Sequence, residues 1–181
     1  GAYVLNEATN LIAKWAHDAV KKEWRISVNI SPKQFRDENF VDNIKNLIIS
    51  KNIDSKKLRV ELTEGVLIDN QQSAMQKIDE LNRFGVSISI DDFGTGYSSL
   101  GYLKHLNIDE LKIDQSFVLG LSENSSDKTI IKTIITMGEE FGFEVIAEGV
   151  ETKEQFEELK NLGCNYFQGY LFAKPCPENE L

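Results

Sequence analysis

Short apolar segments alternate with helical patterns along this chain, and each apolar segment runs into a polar residue. The apolar segments are rich in β-branched residues, which is typical of buried parallel strands. Predicted strands cover 26–30, 58–62, 86–90, 111–113, 143–147 and 166–168. This βα alternation predicts an α/β fold built on a parallel sheet or barrel.

The helical patterns have apolar residues at a spacing of three and four. Predicted helices cover 3–21, a single helix from Pro32 through Ile48, 71–84, 100–106, 129–141 and 153–162. Residues 93–99 and 121–128 are predicted loops, and Gly85 is expected to end the third helix as a C-cap glycine. We find no linker that would divide the chain.

Polar residues stand where the predicted strands end. They are Asn29, Glu61, Asp91, Asp92, Lys112, Glu148 and Gln168. Because the carboxyl ends of parallel strands face a common mouth, we expect these side chains to be neighbours in space.

The first of these residues point to a metal that prefers oxygen. Asn29, Glu61 and Asp91 offer only oxygen ligands, and neither His17 nor His105 falls at a strand end. All-oxygen sites suit Mg²⁺, Mn²⁺ or Ca²⁺ better than zinc.

The adjacent pair Asp91 and Asp92 is the sharper signal. Successive strand residues point to opposite faces, so both can serve one site only where the strand ends and the backbone turns. Gly94 and Gly96 allow such a turn. One aspartate could then bridge two ions, as in two-metal phosphoester chemistry. Any one of these acids alone is better explained as an exposed strand-end carboxylate or a helix cap.

Lys112 and Glu148 carry the candidate catalytic chemistry. An ammonium among carboxylates can hold a water or stabilise charge on a phosphate, although Lys112 alone is also consistent with a solvated lysine. Glu148 ends a strand and can reach a water as a general base. A helix cap is the alternative, and it fits Glu151 and Thr152 better.

Composition limits the class of protein. The 181 residues suffice for one domain but fall short of the ~250 of a complete βα barrel. A net charge of −9 disfavours long nucleic acid as a partner. Cys164 and Cys176 fit no disulfide framework, which predicts reduced thiols in the cytoplasm. No apolar run approaches the ~20 residues of a membrane span, so we expect no direct membrane insertion.

The glycine-rich segment 94–99 follows a strand and precedes a helix, as a dinucleotide fingerprint does. It lacks the third small residue and a clear ribose acid, so it is a weak Rossmann signal. We interpret it as a mobile active-site loop.

Taken in order, the motifs resemble those of bacterial EAL domains, the phosphodiesterases of cyclic di-GMP. The matching segments are Val28–Ser31, Glu61–Glu64, Asp91–Ser99, Leu111–Asp114, Ala147–Glu151 and Gln168–Tyr170. The resemblance spans essentially the whole chain.

The resemblance implies a (β/α)8 TIM-type barrel that opens cyclic di-GMP to the linear dinucleotide with two Mg²⁺ or Mn²⁺ ions, and Ca²⁺ is expected to inhibit. The implied ligands of the first metal are Asn29, Glu61 and Asp91. Asp91 would bridge to a second metal held by Asp92. Lys112 would hold the nucleophilic water, and Glu148 would act as base or as a water-mediated ligand.

Four more residues receive implied roles from the same resemblance. Glu64 would anchor the loop 93–99, and Glu151 would support the site from behind. Gln34 and Gln168 would lie against the nucleotide or its metal-bound waters.

The chain departs from the family at one point, because the Glu-Ala-Leu tripeptide is absent. We therefore expect residues 1–181 to form a single EAL-type domain lacking its N-terminal portion, with about six βα units and the first two strands missing. The fragment is expected to be inactive or weak, since one implied ligand of the first metal is gone. Dimer contacts or swapped elements could cover the exposed sheet edges.

Two alternatives stay open. One is a regulatory module that binds cyclic di-GMP without cleaving it. The other is an enolase-like barrel with a single Mg²⁺, which the Asp91–Asp92 pair disfavours. We expect a bacterial, cytoplasmic domain that can form a homodimer. The parent chain is expected to carry sensory or GGDEF domains and could be anchored in a membrane.

Overall fold

The computed structural model describes residues 2–96, 100–121 and 125–181. Within them, six strands form a parallel sheet whose strand order follows the chain order. The strands are β1 (Ile26–Ile30), β2 (Leu58–Thr63), β3 (Ser87–Phe93), β4 (Glu110–Ile113), β5 (Glu144–Ala147) and β6 (Tyr166–Phe167). This is the predicted α/β architecture.

Helices occupy most of the connections between these strands. They are α1 (Ala2–Trp15), α2 (Pro32–Arg36), α3 (Phe40–Lys51), α4 (Glu64–Asp69), α5 (Gln71–Arg83), α6 (Leu100–Leu103), α7 (Gln115–Leu119), α8 (Ser125–Phe141) and α9 (Lys153–Asn161). Short 3₁₀ helices cover Lys21–Glu23, Ser55–Lys57 and Glu178–Glu180. No described helix is long and apolar enough to cross a membrane.

The predicted helix 3–21 is wrong at its C-terminal end, because α1 stops at Trp15. Asp18 explains the stop. Its carboxylate accepts hydrogen bonds from the backbone N–H groups of Val20 and Lys21, at 2.9 Å each. These bonds lower the pKa of the Asp18 carboxyl. A local side-chain bond of this kind offers the backbone an alternative to the helix.

The single helix predicted from Pro32 is in fact two helices. α2 opens with Ser31 as its N-cap, and Asp37 ends it. Lys77 Nζ then donates to the carbonyls of Phe35 and Asp37, at 2.6 and 2.7 Å. A cation at the last carbonyls of a helix stabilises its C-terminus.

Two short helices that the sequence did not predict, α4 and α7, each follow a strand directly. α7 begins after Asp114, whose carboxylate accepts from the Ser116 N–H at 3.0 Å. The predicted loop 121–128 also ends early, since α8 already begins at Ser125. Polar first turns of this type are easily taken for loops, because their polar residues also favour turns.

The contacts divide the described residues into two compact units. The first contains residues 2–91, 96 and 100–109. Its helices α1 and α3 pack on each other, and α1 also contacts β1. Fully buried aliphatic side chains form its core, among them Ile44, Leu58, Val60, Ile78, Leu81 and Ile88.

The second unit contains residues 92–95, 110–121 and 125–181. Its helix α8 packs against β4 and β5. Leu111, Ile113, Val118 and Ile131 are fully buried there. Gly138 of α8 brings the helix backbone close to β5, since a Cβ at this position would lie 2.2 Å from Val145 Cγ2.

Gly138→Ala tests this close approach. Alanine favours a helix over glycine by about 1 kcal/mol, but the added Cβ would also lie 3.1 Å from the Phe143 carbonyl oxygen. We expect a net loss of about 1–3 kcal/mol in the free energy of unfolding, measured in urea by circular dichroism. Gly65→Ala in α4 is the matched control, because nothing lies within 4 Å of its Cβ position. Equal stability of the two variants would contradict the packing argument.

The two cysteines, both free as predicted, should differ in reactivity. Cys164 is 2% exposed and its thiol donates to the Tyr166 carbonyl at 3.2 Å. Burial raises its pKa, so less thiolate exists at a given pH, and the thiolate is the nucleophile. We expect iodoacetamide at pH 8 to label exposed Cys176 first, and Cys164 only after unfolding, as read by peptide mass spectrometry. Equal labelling rates in the native protein would contradict this.

Candidate metal and phosphodiester site

The first unit brings two predicted ligands side by side on adjacent strands. Asn29 of β1 and Glu61 of β2 are partners in the parallel register. Asn29 is exposed, whereas Glu61 is only 7% exposed. A carboxylate this buried is found where it is paired, hydrogen-bonded or bound to a metal.

Asp91 lies near the end of β3, where it is the register partner of Thr63. Its side chain is half-buried. It comes two residues after Ser89, which is the register partner of Glu61. Asn29, Glu61 and Asp91 therefore stand towards the carboxyl ends of three adjacent strands, as predicted.

Side chains of successive strand residues point to opposite faces of a sheet, and the backbone at Asp92 departs from that pattern. Its φ of +55° places it in the left-handed region, which Asp tolerates better than most residues. Thr95 Oγ1 donates to the Asp92 carbonyl at 2.8 Å and closes the turn. The backbone thus turns at Asp92 itself, two positions before the first of the two glycines, Gly94.

Lys112 and Glu148, in the second unit, form an ion pair in which Lys112 is buried and Glu148 is half-buried. Lys112 Nζ lies 2.5 Å from Glu148 Oε1, and the two side chains are 4% and 16% exposed. The parallel pairing of β4 with β5 brings the two residues together, because Ile113, which follows Lys112, is the register partner of Ala147, which precedes Glu148. The Glu148 N–H donates to the Ile113 carbonyl at 3.2 Å, which extends the pairing by one residue.

A second carboxylate lies beside this pair. Oxygens of Asp92 and Glu148, both in the second unit, lie within 4.8 Å of each other. Like charges at this separation repel unless a cation sits among them. Lys112 supplies one positive charge, and a divalent ion fits the remaining oxygen donors. These residues could therefore hold a metal ion.

Glu64 has a defined contact in the first unit. It is 3% exposed, and its Oε2 accepts a hydrogen bond from the Gly96 N–H at 3.1 Å. A Cβ on Gly96 would lie 2.8 Å from the Glu64 carboxylate, so the loop backbone rests directly on it. Glu64 thus contacts the predicted loop at Gly96, and residues 97–99 lie outside the described part of the chain.

The remaining predicted residues occupy varied positions. Gln168 is exposed just beyond β6, where its carbonyl accepts from the Val150 N–H at 3.0 Å. Glu151 is exposed beside Thr152, which is the N-cap of α9, as the cap interpretation predicted. Gln34 uses its amide oxygen in a capping box with Ser31 at the start of α2.

Sequence reasoning missed how tightly the segment after Glu148 is held. Gly149 has a φ of +69°, and a Cβ on Gly169 would lie 2.1 Å from the Val150 carbonyl oxygen. Glycine at both positions was the available signal, because glycine permits left-handed backbone and close approach. These contacts fix the chain beside the acid.

The family follows from comparison with known proteins. The EAL domain model matches residues 1–175, and the chain belongs to the EAL domain family. The chain is 40% identical over 181 residues to the bifunctional diguanylate cyclase/cyclic di-GMP phosphodiesterase MucR of Pseudomonas aeruginosa. It is 35% identical over 181 residues to the oxygen sensor protein DosP of Escherichia coli. All of this chain is covered in both alignments, which span 26% and 22% of those relatives.

Solved structures agree with this assignment. The PaMucR phosphodiesterase in complex with c-di-GMP matches with a TM-score of 0.95 at 39% identity, over 99% of this chain and 72% of that one. The EAL domain of Mycobacterium smegmatis DcpA gives 0.92 at 34% identity, over 99% and 81% of the two chains. The six-stranded sheet therefore matches part of the TIM-type barrel of EAL domains.

Lys112→Met tests the charge balance of the site in metal-free protein. Removing the ammonium takes away the positive charge that Glu148 contacts beside Asp92, and breaking a pair with one fully buried member costs about 3 kcal/mol. We expect urea unfolding in the presence of a chelator to show this loss, and millimolar Mg²⁺ to reverse part of it.

Lys45→Met is the matched control. Lys45 and Glu80 form a pair of the same 2.5 Å length, but Glu80 is exposed. Exposed pairs contribute at most about 1 kcal/mol. If the two variants lost the same free energy of unfolding, the Lys112 ammonium would be no more important for stability than a lysine in an exposed pair.

Proposed function

We propose that this EAL domain binds cyclic di-GMP and that the domain in its parent protein hydrolyses it, with divalent metal, to the linear dinucleotide. The observation that carries the proposal is the Lys112–Glu148 ion pair next to the Asp92 carboxylate. Phosphodiester hydrolysis can use a general base, a positive charge and carboxylates that bind metal, all at one site. The named activity of MucR and the c-di-GMP complex of PaMucR support the same reaction.

The residues that would hold two Mg²⁺ or Mn²⁺ ions in this proposal are Asn29, Glu61, Asp91 and Asp92. Their oxygen-only donor set fits hard divalent cations. When bound, such ions polarise phosphate oxygens and make a bound water more acidic. Ca²⁺ fits the same donors, and we propose that it binds without supporting turnover.

Lys112 and Glu148 are the proposed catalytic residues. Lys112 Nζ, already directed at Glu148 Oε1, would donate to the attacking water and hold it in place. Glu148 would accept a proton from that water as its oxygen bonds to phosphorus. The phosphorus–oxygen bond to the ribose would then break, and the departing oxygen would take up a proton from solvent while Glu148 returns its proton to solvent, which gives a linear dinucleotide.

The other predicted residues have supporting roles in this proposal. Glu64 would hold the loop through Gly96, and Glu151 would support the segment that carries Glu148. Gln168 and Gln34 would contact the nucleotide or its waters. For Gln34 this requires that it act alongside the capping box it forms with Ser31.

Binding without cleavage is the second candidate for the 181-residue chain taken alone. The sequence contains no Glu-Ala-Leu, and the glutamate of that tripeptide is an implied ligand of the first metal. We therefore propose that this chain by itself hydrolyses cyclic di-GMP weakly or not at all, while it retains binding.

The wider context is also proposed. The chain spans about a quarter of the length of the curated relatives it matches. The name of MucR includes a diguanylate cyclase, and we propose sensory or GGDEF-type domains in the parent protein, a cytoplasmic location and homodimer formation.

Isothermal titration with cyclic di-GMP in the presence of Ca²⁺ tests the proposal. We expect the wild-type chain to bind, and Asp92→Asn to bind at least about tenfold more weakly, since a metal ligand is lost. Glu80→Gln, which removes an exposed carboxylate far from any predicted site residue in sequence, should leave affinity unchanged. Failure of the wild type to bind, or equal affinity of both variants, would overturn the proposal.

A hydrolysis assay with Mg²⁺, read by chromatography of the linear dinucleotide, separates the two candidates. Binding without product supports the weak-activity expectation for this chain. Turnover that matches the longer parent protein would overturn that expectation and leave the phosphodiesterase assignment standing.

A further inference from the structure

Helix α7 has no role in the reaction described above, yet it contacts both turns that follow the acids of the second unit. One turn contains Gly94, two residues after Asp92. The other contains Gly149, directly after Glu148. Both glycines are left-handed, with φ of +100° and +69°.

Phe117 supports the first turn. A Cβ built on Gly94 would lie 2.9 Å from Phe117 Cε2 and 3.3 Å from its Cζ. Real Cβ atoms hardly approach this closely, so the ring packs directly on the glycine backbone. The turn that places Asp92 therefore lies against an aromatic edge.

Gln115 supports the second turn through its Cβ and Cα atoms. A Cβ on Gly149 would lie 2.7 Å from Gln115 Cβ and 3.4 Å from its Cα. The contact is made by the Cβ, whereas the amide oxygen is farther away, at 3.6 Å. Any residue except glycine would supply that atom at position 115.

α7 is itself well fixed. Its N-terminus is capped by Asp114, which follows Lys112 by two residues. Val118 is fully buried, and its carbonyl accepts a hydrogen bond from Gln155 Nε2 at 3.5 Å. Because α7 is held at both ends, its side chains can restrain the two turns that they contact.

The geometry points to Phe117 and Gln115 as positioning residues that set the separation of the Asp92 and Glu148 carboxylates. Each would act through the glycine turn that it contacts. The inference rests on the proposed function, because that separation matters for holding a divalent ion.

Mn²⁺ titration of the chain, followed by electron paramagnetic resonance, tests the inference. Phe117→Ala removes the support of Gly94, and we expect about tenfold weaker Mn²⁺ binding, as for residues that orient metal ligands. Phe117→Leu keeps part of the volume and should recover most of the affinity. Leu119→Ala on the same helix is the control, because Leu119 is 57% exposed.

Position 115 gives an independent pair of variants that leave the core untouched. Gln115→Gly removes the Cβ that contacts Gly149 and should weaken Mn²⁺ binding. Gln115→Ala keeps that Cβ and should bind as the wild type does. Equal affinity of these two variants would overturn the role assigned to Gln115, even if Phe117→Ala fails to fold.

Amide NMR of the metal-free protein separates this inference from the proposed function. We expect Phe117→Ala to shift the Gly94 amide resonance more than Leu119→Ala does. Absence of that difference would overturn the inference, whatever the metal binding. A wild-type chain that binds no Mn²⁺ would instead overturn the proposed function, while the NMR comparison would still decide the positioning role.

Discussion

A lysine ammonium buried beside carboxylates is the interaction on which this molecule depends. Burying Lys112 or Glu148 alone would cost several kcal/mol of lost hydration, and their 2.5 Å contact offsets that cost for both. The neighbouring acid Asp92 adds a second carboxylate beside Glu148. The site is thus built to favour further positive charge, which is the physical basis for proposing divalent ions.

Parallel strand pairing allows a short chain to bring these polar residues together. In a parallel sheet every strand presents its carboxyl end at the same edge, so one polar residue per strand suffices to assemble a site. The apolar residues before each strand end, such as Leu111 and Ala147, are fully buried and hold the strands in register. Stability and chemistry therefore occupy different parts of the same strand.

The errors in predicting helices have a common physical cause. Apolar periodicity continues beyond Trp15, but the Asp18 carboxylate bonds the next backbone N–H groups and ends the helix. Likewise Lys77 caps the carbonyls that end α2, from a position far along the chain. The first case was readable from a local Asp, whereas the second required knowledge of which lysine lies nearby in space.

Sequence alone determined the number and order of the strands and the polar residue that ends each one, because these follow from hydrophobic patterning and local composition. Only the tertiary structure decided the left-handed turn at Asp92 and the burial of Lys112 beside Glu148. It alone revealed the contacts of α7 with the glycine turns. Distances of this kind depend on how separate elements pack, and a pattern along one chain carries no information about which atoms of distant residues meet.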